Sequence, residues 1–120
     1  AKTGRPRRVG PIDLVATRYG VRMQNATNIA LTKLDILSYM DRIPVCAHYE
    51  IDGQQTDEFP FPVLLDQAKP VTEYVPGWNC DTWEDLPQAA WDYVEYVERA
   101  IGCRIGYVSV GAERDSLIVR

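Results

Sequence analysis

The stretch DLPQAAWDYVEYVERAIGCRIGYVSVG, residues 85 to 111, decides the fold class of this chain of 120 residues. Its first part predicts one amphipathic helix, because apolar side chains recur at spacings of three and four: Leu86, Ala90, Tyr93, Val94, Val97 and Ile101. Asp85 and Pro87 mark the start of that helix, and Gly102 marks its end. The β-prone run Ile105 to Val110 follows at once, so a helix leads directly into a strand.

The preceding residues predict a second helix and several short strands. From Pro11 the apolar residues again recur at helical spacing, and the predicted buried stripe is Ile12, Val15, Ala16, Tyr19 and Met23. Asp52-Gly53 predicts a hairpin turn, and Pro60 and Pro62 end the pairing after it. The β-prone runs predict strands at 29–31, 45–51, 54–59, 71–75 and 117–119. Residues 36–40 predict one short helical turn. Strands that alternate with helices predict an α/β fold, a layered sheet with flanking helices and an antiparallel hairpin.

Composition and charge limit the function classes. Apolar types make up 46% of the residues and charged types 25%, which is typical of a packed globular domain. The net charge is −4, from 13 basic and 17 acidic residues, so a general nucleic-acid binder is disfavoured. Basic residues are nevertheless concentrated at the amino-terminal end, and this asymmetry predicts that this end meets an anion.

The sequence predicts a protein without membrane partners. No apolar run approaches the roughly 18 residues of a bilayer-spanning helix, and no leader precedes the first helix, so we expect a cytoplasmic location. The three cysteines, Cys46, Cys80 and Cys103, are widely spaced and odd in number, which favours reduced thiols. They and His48 lack the spacing of a metal site. Because the chain begins at Ala1 in a polar loop, we expect a segment of a longer protein.

Residues 3–8, Thr3-Gly4-Arg5-Pro6-Arg7-Arg8, have the composition of an anion-binding loop. A glycine lets the backbone approach a ligand, and guanidinium groups bind carboxylate or phosphate with two hydrogen bonds. A solvated basic terminus has the same composition, and nonspecific binding to a phosphate backbone is a third reading. The motif alone does not choose between them.

Two further motifs follow predicted strands. In Thr32-Lys33-Leu34-Asp35 the carboxylate can accept two N–H groups of guanine while the lysine stem covers the base. Adenine lacks those donors, so the same site would discriminate against it. In Ser109-Val110-Gly111, exposed backbone N–H groups can meet a base oxygen or a phosphate. The ordinary alternatives are a surface ion pair for the first motif and a plain strand-to-loop turn for the second.

The order and spacing of these motifs resemble one family over nearly the whole chain, the adenylosuccinate synthetases, and in particular their carboxy-terminal part. The matching stretches are TGRPRR at 3–8, IDLVA at 12–16, LTKLDIL at 31–37, YEIDG at 49–53, DEFP at 57–60, YVPGW at 74–78, DLPQAA at 85–90 and SVGAERD at 109–115. Their joint occurrence is far more specific than any one of them.

The resemblance implies a ligase of purine biosynthesis that joins inosine monophosphate (IMP) to L-aspartate at the expense of GTP, with Mg²⁺. In that family GTP phosphorylates the purine O6, and the aspartate amine then displaces phosphate. The resemblance also implies a larger fold of the P-loop-NTPase type, a cytoplasmic homodimer, and partners that are small molecules rather than nucleic acid or membrane.

The resemblance also implies roles for individual residues. Residues 1–8 would form the aspartate and substrate loop, in which Thr3 and Gly4 hold the substrate. Arg5 would also touch the IMP ribose, and Arg7 would contact both the aspartate carboxylate and the GTP side. Residues 28–120 would form the guanine-binding α/β part, with GTP-binding residues Lys33, Leu34, Asp35, Ser109, Val110 and Gly111.

Some features depart from the family. Lys2 stands where threonine is usual, Pro11 where tryptophan is common, and Ala112 where proline usually follows. The sequence contains no G-x-x-x-x-G-K phosphate loop. The family's catalytic aspartate and histidine and its IMP pocket belong to the amino-terminal part. We therefore expect no catalytic residue and no metal ligand in this segment, with Mg²⁺ bound mainly by that other part.

Two other functions remain open from the sequence. The first is a noncatalytic module that binds guanine nucleotides or supports assembly and has kept the fold. The second is an anion-binding domain that acts through the basic residues at the amino-terminal end. Base preference separates the first from the second, since binding through basic residues alone depends steeply on salt and not on the base.

Overall fold

A computed structural model of the protein describes Gly4 and residues 10–78, 86–111 and 113–120. Two 3-10 turns, at Leu34–Leu37 and Arg114–Ser116, accompany the helices and strands of these ranges. The elements run β1 (Ile12–Asp13), α1 (Leu14–Gln24), β2 (Ile29–Leu31), β3 (Arg42–Ile51), β4 (Gln54–Thr56), α2 (Pro62–Leu65), β5 (Lys69–Pro76), α3 (Gln88–Ile101), β6 (Ile105–Ser109) and β7 (Leu117–Val119). The predicted α/β fold is confirmed. None of the helices in the described ranges has the length and apolarity needed to cross a bilayer.

The first sheet is built on the long strand β3. One edge of β3 pairs antiparallel with β5 along residues 42–50. The other edge pairs with β1 in parallel at Val45 and Cys46, and then with β4 in an antiparallel hairpin. Asp52 (φ 53°) and Gly53 (φ 80°) form the turn of that hairpin, as the sequence predicts. The β3–β4 pair is therefore the added antiparallel hairpin of an otherwise mixed sheet.

The second sheet has the order β2-β6-β7. Strands β2 and β6 are parallel, with Leu31 opposite Val108, and β6 and β7 are antiparallel, with Ser109 opposite Leu117. Because parallel strands end at the same edge, the residues that follow β2 and the residues that follow β6 leave the sheet side by side. This placement matters for the site below.

Helix α3 supplies the centre of the hydrophobic core. Its predicted apolar stripe is confirmed, since five of the six predicted residues are fully buried and Leu86 packs against them. The stripe packs between residues of both sheets, among them Ile43 and Val45 of β3 and Ile105 and Val108 of β6. Gly102 ends the helix in the left-handed region (φ 67°), where glycine carries no Cβ penalty. Asp85, the predicted start signal, lies outside the described residues.

The amino-terminal helix differs from the sequence prediction. Ile12 lies in β1, and α1 begins at Leu14 because the Asp13 carboxylate accepts the N–H of Ala16 at 3.0 Å and caps the helix. The predicted buried stripe is wrong at its carboxyl end. Tyr19 is 42% exposed and Met23 is 64% exposed, and this end of the helix contacts the core through Val21 instead.

Other element boundaries also differ. Strand β3 begins at Arg42, three residues earlier than predicted, and the return arm β4 ends at Thr56 rather than Phe59. The helical turn is a 3-10 turn at Leu34–Leu37. Strand β5 is longer than predicted and contains Pro70 and Pro76, which an edge strand tolerates because its outer N–H groups need no partner in the sheet.

Gly77 allows β5 to end close to the loop before β3. Its N–H donates to the Asp41 carbonyl at 2.9 Å. A Cβ at this position would overlap the Met40 carbonyl oxygen and lie 2.8 Å from the Asp41 carbonyl oxygen. The next residue, Trp78, is buried, and its ring packs on Tyr93 of α3 with a centroid separation of 5.5 Å. The close contact of Gly77 with the loop before β3 thus fixes the position at which Trp78 enters the core.

A charged cluster joins α3 to the second sheet. One oxygen of Glu98 accepts the N–H of Ile105 at 2.7 Å and the Arg120 guanidinium at 2.9 Å. The same guanidinium nitrogen donates to the Ile105 carbonyl at 2.8 Å. We call Glu98, Ile105 and Arg120 the α3–β6 clasp. Because both charged groups are largely shielded from water, it is stronger than an ordinary surface pair.

We expect the clasp to make stability depend on acid pH. The Ile105 N–H, followed by the charge and hydrogen bond of Arg120, lowers the pKa of Glu98 below its usual value, against the opposing effect of burial. A carboxyl group with a lowered folded-state pKa stabilises the fold above its unfolded pKa and loses that contribution as the pH falls through the folded value.

Glu98→Gln should therefore lower the urea midpoint of the complete polypeptide at pH 7. The difference from wild type should shrink as the pH falls from 7 to below about 4. Glu95→Gln, at an exposed position of the same helix, is the matched control and should leave the urea midpoint unchanged both at pH 7 and at the lower pH. A difference that stays constant across this pH range contradicts the prediction.

Candidate functional site

Two of the predicted site motifs meet at one edge of the second sheet. The residues after β2 include Lys33 to Asp35, and the residues at the end of β6 are Ser109 to Gly111. The parallel register of β2 and β6 brings both to the carboxyl edge of the sheet. Ligands of open α/β sheets bind at this edge, just outside the ends of the strands. We call these six residues the carboxyl-edge site.

The first half of the site is a tight turn with its central residue in the core. Lys33 adopts the left-handed region (φ 61°, ψ 36°), and its carbonyl accepts the N–H of Ile36 at 3.3 Å. Leu34 is 1% exposed and belongs to the main hydrophobic core. The Leu34 side chain therefore anchors the turn, while Lys33 is exposed and Asp35 is half-buried on either side of it.

The Asp35 carboxylate has the properties of a ligand acceptor. Across residues 10–78, 86–111 and 113–120, no hydrogen bond or ion pair to another side chain or backbone group occupies it. The ordinary alternative, an ion pair with Lys33, is not formed. An ionised carboxylate has up to four lone-pair positions and accepts two parallel N–H groups readily. A group with two adjacent donors matches this arrangement.

The second half of the site is partly closed by its own chain. The Val110 N–H donates to the Ser116 carbonyl at 2.9 Å, so the expectation of an exposed N–H is wrong at this residue. Residues 114–116 fold back over the strand end and supply that carbonyl. The Ser109 hydroxyl donates to the Gly111 carbonyl at 2.9 Å, which leaves its oxygen able to accept a hydrogen bond.

Glycine at position 111 leaves room for this return of the chain. A Cβ on Gly111 would lie 2.8 Å from the Ser116 hydroxyl oxygen and 3.3 Å from its Cβ. Val110 is buried in the main core. The side chain of Val110, like that of Leu34, therefore anchors this edge of the sheet in the core.

The amino-terminal motif is described at one residue. Gly4 is exposed and has φ 73°, a conformation that favours glycine, with no atom near the position of a Cβ. Thr3, Arg5 and Arg7 lie outside the described residues. The expectation that the motif acts together with Asp35 therefore stays a prediction.

An apolar cleft of about 360 Å³, which sequence reasoning missed, adjoins the Asp35 turn. Gly10 and Pro11 line one part of it, and Ile36, the residue after Asp35, lines another. The lining residues are Gly10, Pro11, Ile12, Ile36, Leu37, Tyr39, Met40, Ile43, Pro44 and Tyr93.

A second cleft, of about 330 Å³, is lined by charged side chains that the sequence did not single out. Arg18 of α1 pairs with Asp57 at 3.0 Å. His48 of β3 lies 3.8 Å from Glu73 of the neighbouring strand β5. The Tyr96 hydroxyl donates to the same Glu73 at 3.3 Å. Burial and the charge of Glu73 raise the pKa of Tyr96, so that this hydroxyl stays protonated.

The residues that the structure describes contain no group of three or more His, Cys, Asp or Glu side chains close enough to hold a metal ion. Cys46 and Cys103 are buried free thiols. Cys80 lies outside the described residues. The donor groups of the described residues therefore do not fit a Mg²⁺ site.

The two sheets with their packed helices define a segment of the open α/β class. The comparison with known families is more specific, since the family model for adenylosuccinate synthetase matches residues 1–118. This chain belongs to the adenylosuccinate synthetase family. The resemblance carried by the sequence motifs is thereby confirmed.

Individual relatives agree with this result. The chain is 44% identical to an adenylosuccinate synthetase of Corynebacterium aurimucosum and 46% identical to one of Pelobacter propionicus, in each case over 98% of this chain and 29% of the relative. A solved structure, that of fully ligated adenylosuccinate synthetase from Plasmodium falciparum, has a TM-score of 0.87 at 30% identity. It matches 98% of this chain and 30% of that protein. The chain thus spans under a third of the length of these relatives.

Proposed function

We propose that this chain is the carboxy-terminal, guanine-recognising segment of a ligase that forms adenylosuccinate from IMP and L-aspartate at the expense of GTP. Membership of the family supports the reaction. The single observation that carries the role of the segment is the Asp35 carboxylate, half-buried at the carboxyl edge and joined to no other described group. Its neighbours at that edge are Ser109 and Gly111.

Recognition of guanine follows from hydrogen-bond chemistry. Asp35 accepts the N1–H and the N2 amine of the base, and the stem of Lys33 covers one face of the ring. The Ser109 oxygen and the backbone at Leu34, Val110 and Gly111 complete the contacts. Adenine presents an acceptor at N1, so a bound adenine would leave a partly buried carboxylate without partners. The resulting loss of binding is the source of base selectivity.

The amino-terminal residues 1–8 form the aspartate and substrate loop in this proposal. Thr3 and Gly4 hold the amino-acid substrate, and Arg5 also reaches the IMP ribose. Arg7 contacts the aspartate carboxylate and the GTP side. The basic composition of this motif and the left-handed backbone at Gly4 support these roles. Residues 28–120 form the guanine-binding part.

Phosphoryl transfer requires groups that this chain lacks. GTP is the co-substrate, and Mg²⁺ neutralises the phosphate charge when it is bound. The sequence has no phosphate loop, and its described residues offer no metal site, so another part of the enzyme holds Mg²⁺ and the catalytic residues. The complete enzyme is a cytoplasmic homodimer in this proposal.

The proposal predicts a clear difference between the segment and the complete polypeptide that carries it. With IMP, L-aspartate, GTP and Mg²⁺, the complete polypeptide should form adenylosuccinate, and replacement of GTP by ATP should abolish the product. The purified 120-residue segment should form none. Product formation by the segment alone refutes the assignment of catalysis to the other part. Equal activity with ATP refutes guanine recognition.

The geometry of the carboxyl-edge site equally supports one second candidate, a noncatalytic module that binds guanine nucleotides or supports assembly. Such a module would bind GTP with base preference, and its complete polypeptide would form no adenylosuccinate. The same assay, combined with a measurement of GTP binding, therefore separates the two candidates.

A further inference from the structure

The α3–β6 clasp lies at the end of β6 opposite to the carboxyl-edge site. Glu98 on α3 binds the backbone N–H of Ile105, the first residue of β6, and the Arg120 guanidinium. Arg120 in turn binds the Ile105 carbonyl, and its guanidinium lies over the ring of Trp91 at 6.0 Å from the centroid. The clasp therefore links the position of α3 to the beginning of β6 in the second sheet.

The clasp also holds β7. This strand has only three residues, of which Leu117 and Val119 are exposed and Ile118 packs against the core, so hydrophobic burial holds it through one side chain. Immediately after it, the Arg120 N–H donates to the Gly106 carbonyl at 2.8 Å. The side chain and the backbone of Arg120 thus attach the end of β7 to β6, together with the Arg104 guanidinium, which donates to the Arg120 carbonyl at 3.4 Å.

At its other end, β7 continues directly from Ser116, which shapes the carboxyl-edge site. The Ser116 carbonyl accepts the Val110 N–H at 2.9 Å, and its side chain occupies the space above Gly111. Displacement of β7 would move Ser116, release the Val110 N–H and open the turn at Gly111. A series of contacts therefore connects the clasp to the site through one short strand.

We propose that Glu98 and Arg120 are positioning residues for guanine-nucleotide binding, which they control through β7 and Ser116. This inference rests on the proposed function, because it takes the carboxyl-edge site as the guanine site. Neither residue touches the nucleotide. Loss of the clasp weakens GTP binding and leaves the IMP and aspartate sites unchanged, since the clasp reaches only the Ser109 to Gly111 half of the site.

The test is Arg120→Gln in the complete polypeptide, with steady-state kinetics for all three substrates. We expect the KM for GTP to rise about tenfold, as for the loss of one charge-assisted contact. The KM values for IMP and aspartate should stay within about twofold, and kcat should recover at saturating GTP. Arg120→Lys should give a smaller rise, because the ammonium group keeps the charge of the pair but not the planar geometry of the guanidinium.

A second measurement does not depend on activity. Hydrogen exchange of the peptide that covers residues 105–119 should become faster in Arg120→Gln, since the Val110 N–H loses its partner. Glu98→Gln, a smaller change, serves if Arg120→Gln does not fold, and it should shift the same two readouts in the same direction. Glu95→Gln is the matched control at an exposed position of α3 and should leave both unchanged.

A purely structural role predicts a different result. In that case the variants lower the unfolding midpoint and the fraction of active enzyme, and all three KM values stay as in wild type, which overturns the inference. Asp35→Asn in the same assays separates this failure from failure of the proposed function. If Asp35→Asn raises the KM for GTP and Arg120→Gln does not, the positioning role is wrong. If neither does, the guanine site itself is misplaced.

Discussion

Asp35→Asn in the complete polypeptide should lower kcat/KM for GTP by about 100-fold, because the amide presents a donor where guanine also presents donors. The substitution keeps the size of the side chain. It also disturbs no hydrogen bond or ion pair among the described residues, since the carboxylate makes none. The change should therefore appear in nucleotide kinetics, with the unfolding midpoint and the KM values for IMP and aspartate close to those of wild type.

A substrate analogue makes this test sharper. Inosine triphosphate lacks the N2 amine of guanine, so the wild-type enzyme should use it less well than GTP. That preference should largely disappear in Asp35→Asn, because the amine then has no carboxylate to bind. Asp52→Asn, the same change in the exposed hairpin turn, is the control, and asparagine tolerates the left-handed backbone found there. An unchanged KM for GTP in Asp35→Asn would place the base elsewhere.

Gly77→Ala should be the most destabilising single-methyl substitution among the described glycines. The new Cβ would overlap the Met40 carbonyl oxygen and approach that of Asp41 to 2.8 Å, and a backbone carbonyl cannot rotate away as a flexible side chain does. The loop must separate from β5, which also moves Trp78 out of its contact with Tyr93. We expect the free energy of unfolding to fall by about 3 kcal/mol or more.

Gly20→Ala is the matched control for that measurement. Gly20 lies within α1, and no atom is near the position of its Cβ. The same added methyl group should there raise the free energy of unfolding by about 0.5 to 1 kcal/mol, because alanine favours the helix. Urea denaturation of the complete polypeptide, followed by tryptophan fluorescence, gives both values. A small effect of Gly77→Ala would mean that the loop adjusts and that the close approach does not constrain the core.

The sequence predicted those elements whose signal is strong and local. The apolar stripe of α3 is long and regular, and glycine ends the helix, so its position could be predicted to within two residues. The Asp52-Gly53 hairpin could also be predicted, because few residues other than glycine and asparagine or aspartate adopt that turn. The motif that contains Asp35 was placed correctly at the end of a strand.

The errors arose where tertiary contacts override a local pattern. Periodicity predicted that Met23 is buried, but burial depends on what covers the outer face of α1, which a pattern does not contain. The availability of the Val110 N–H was also mispredicted, because its partner, Ser116, is brought back by a 3-10 turn with no sequence signature. The clasp joins Glu98 to Arg120 across 22 positions, a pairing that depends on the fold and not on spacing.

Leu34 is buried between the exposed Lys33 and the half-buried Asp35. Under the proposed function, folding constrains the middle residue of this turn, whereas nucleotide chemistry constrains its neighbours. The base preference should then be open to redesign, or to drift during evolution, by exchange of the Asp35 side chain with little penalty in folding.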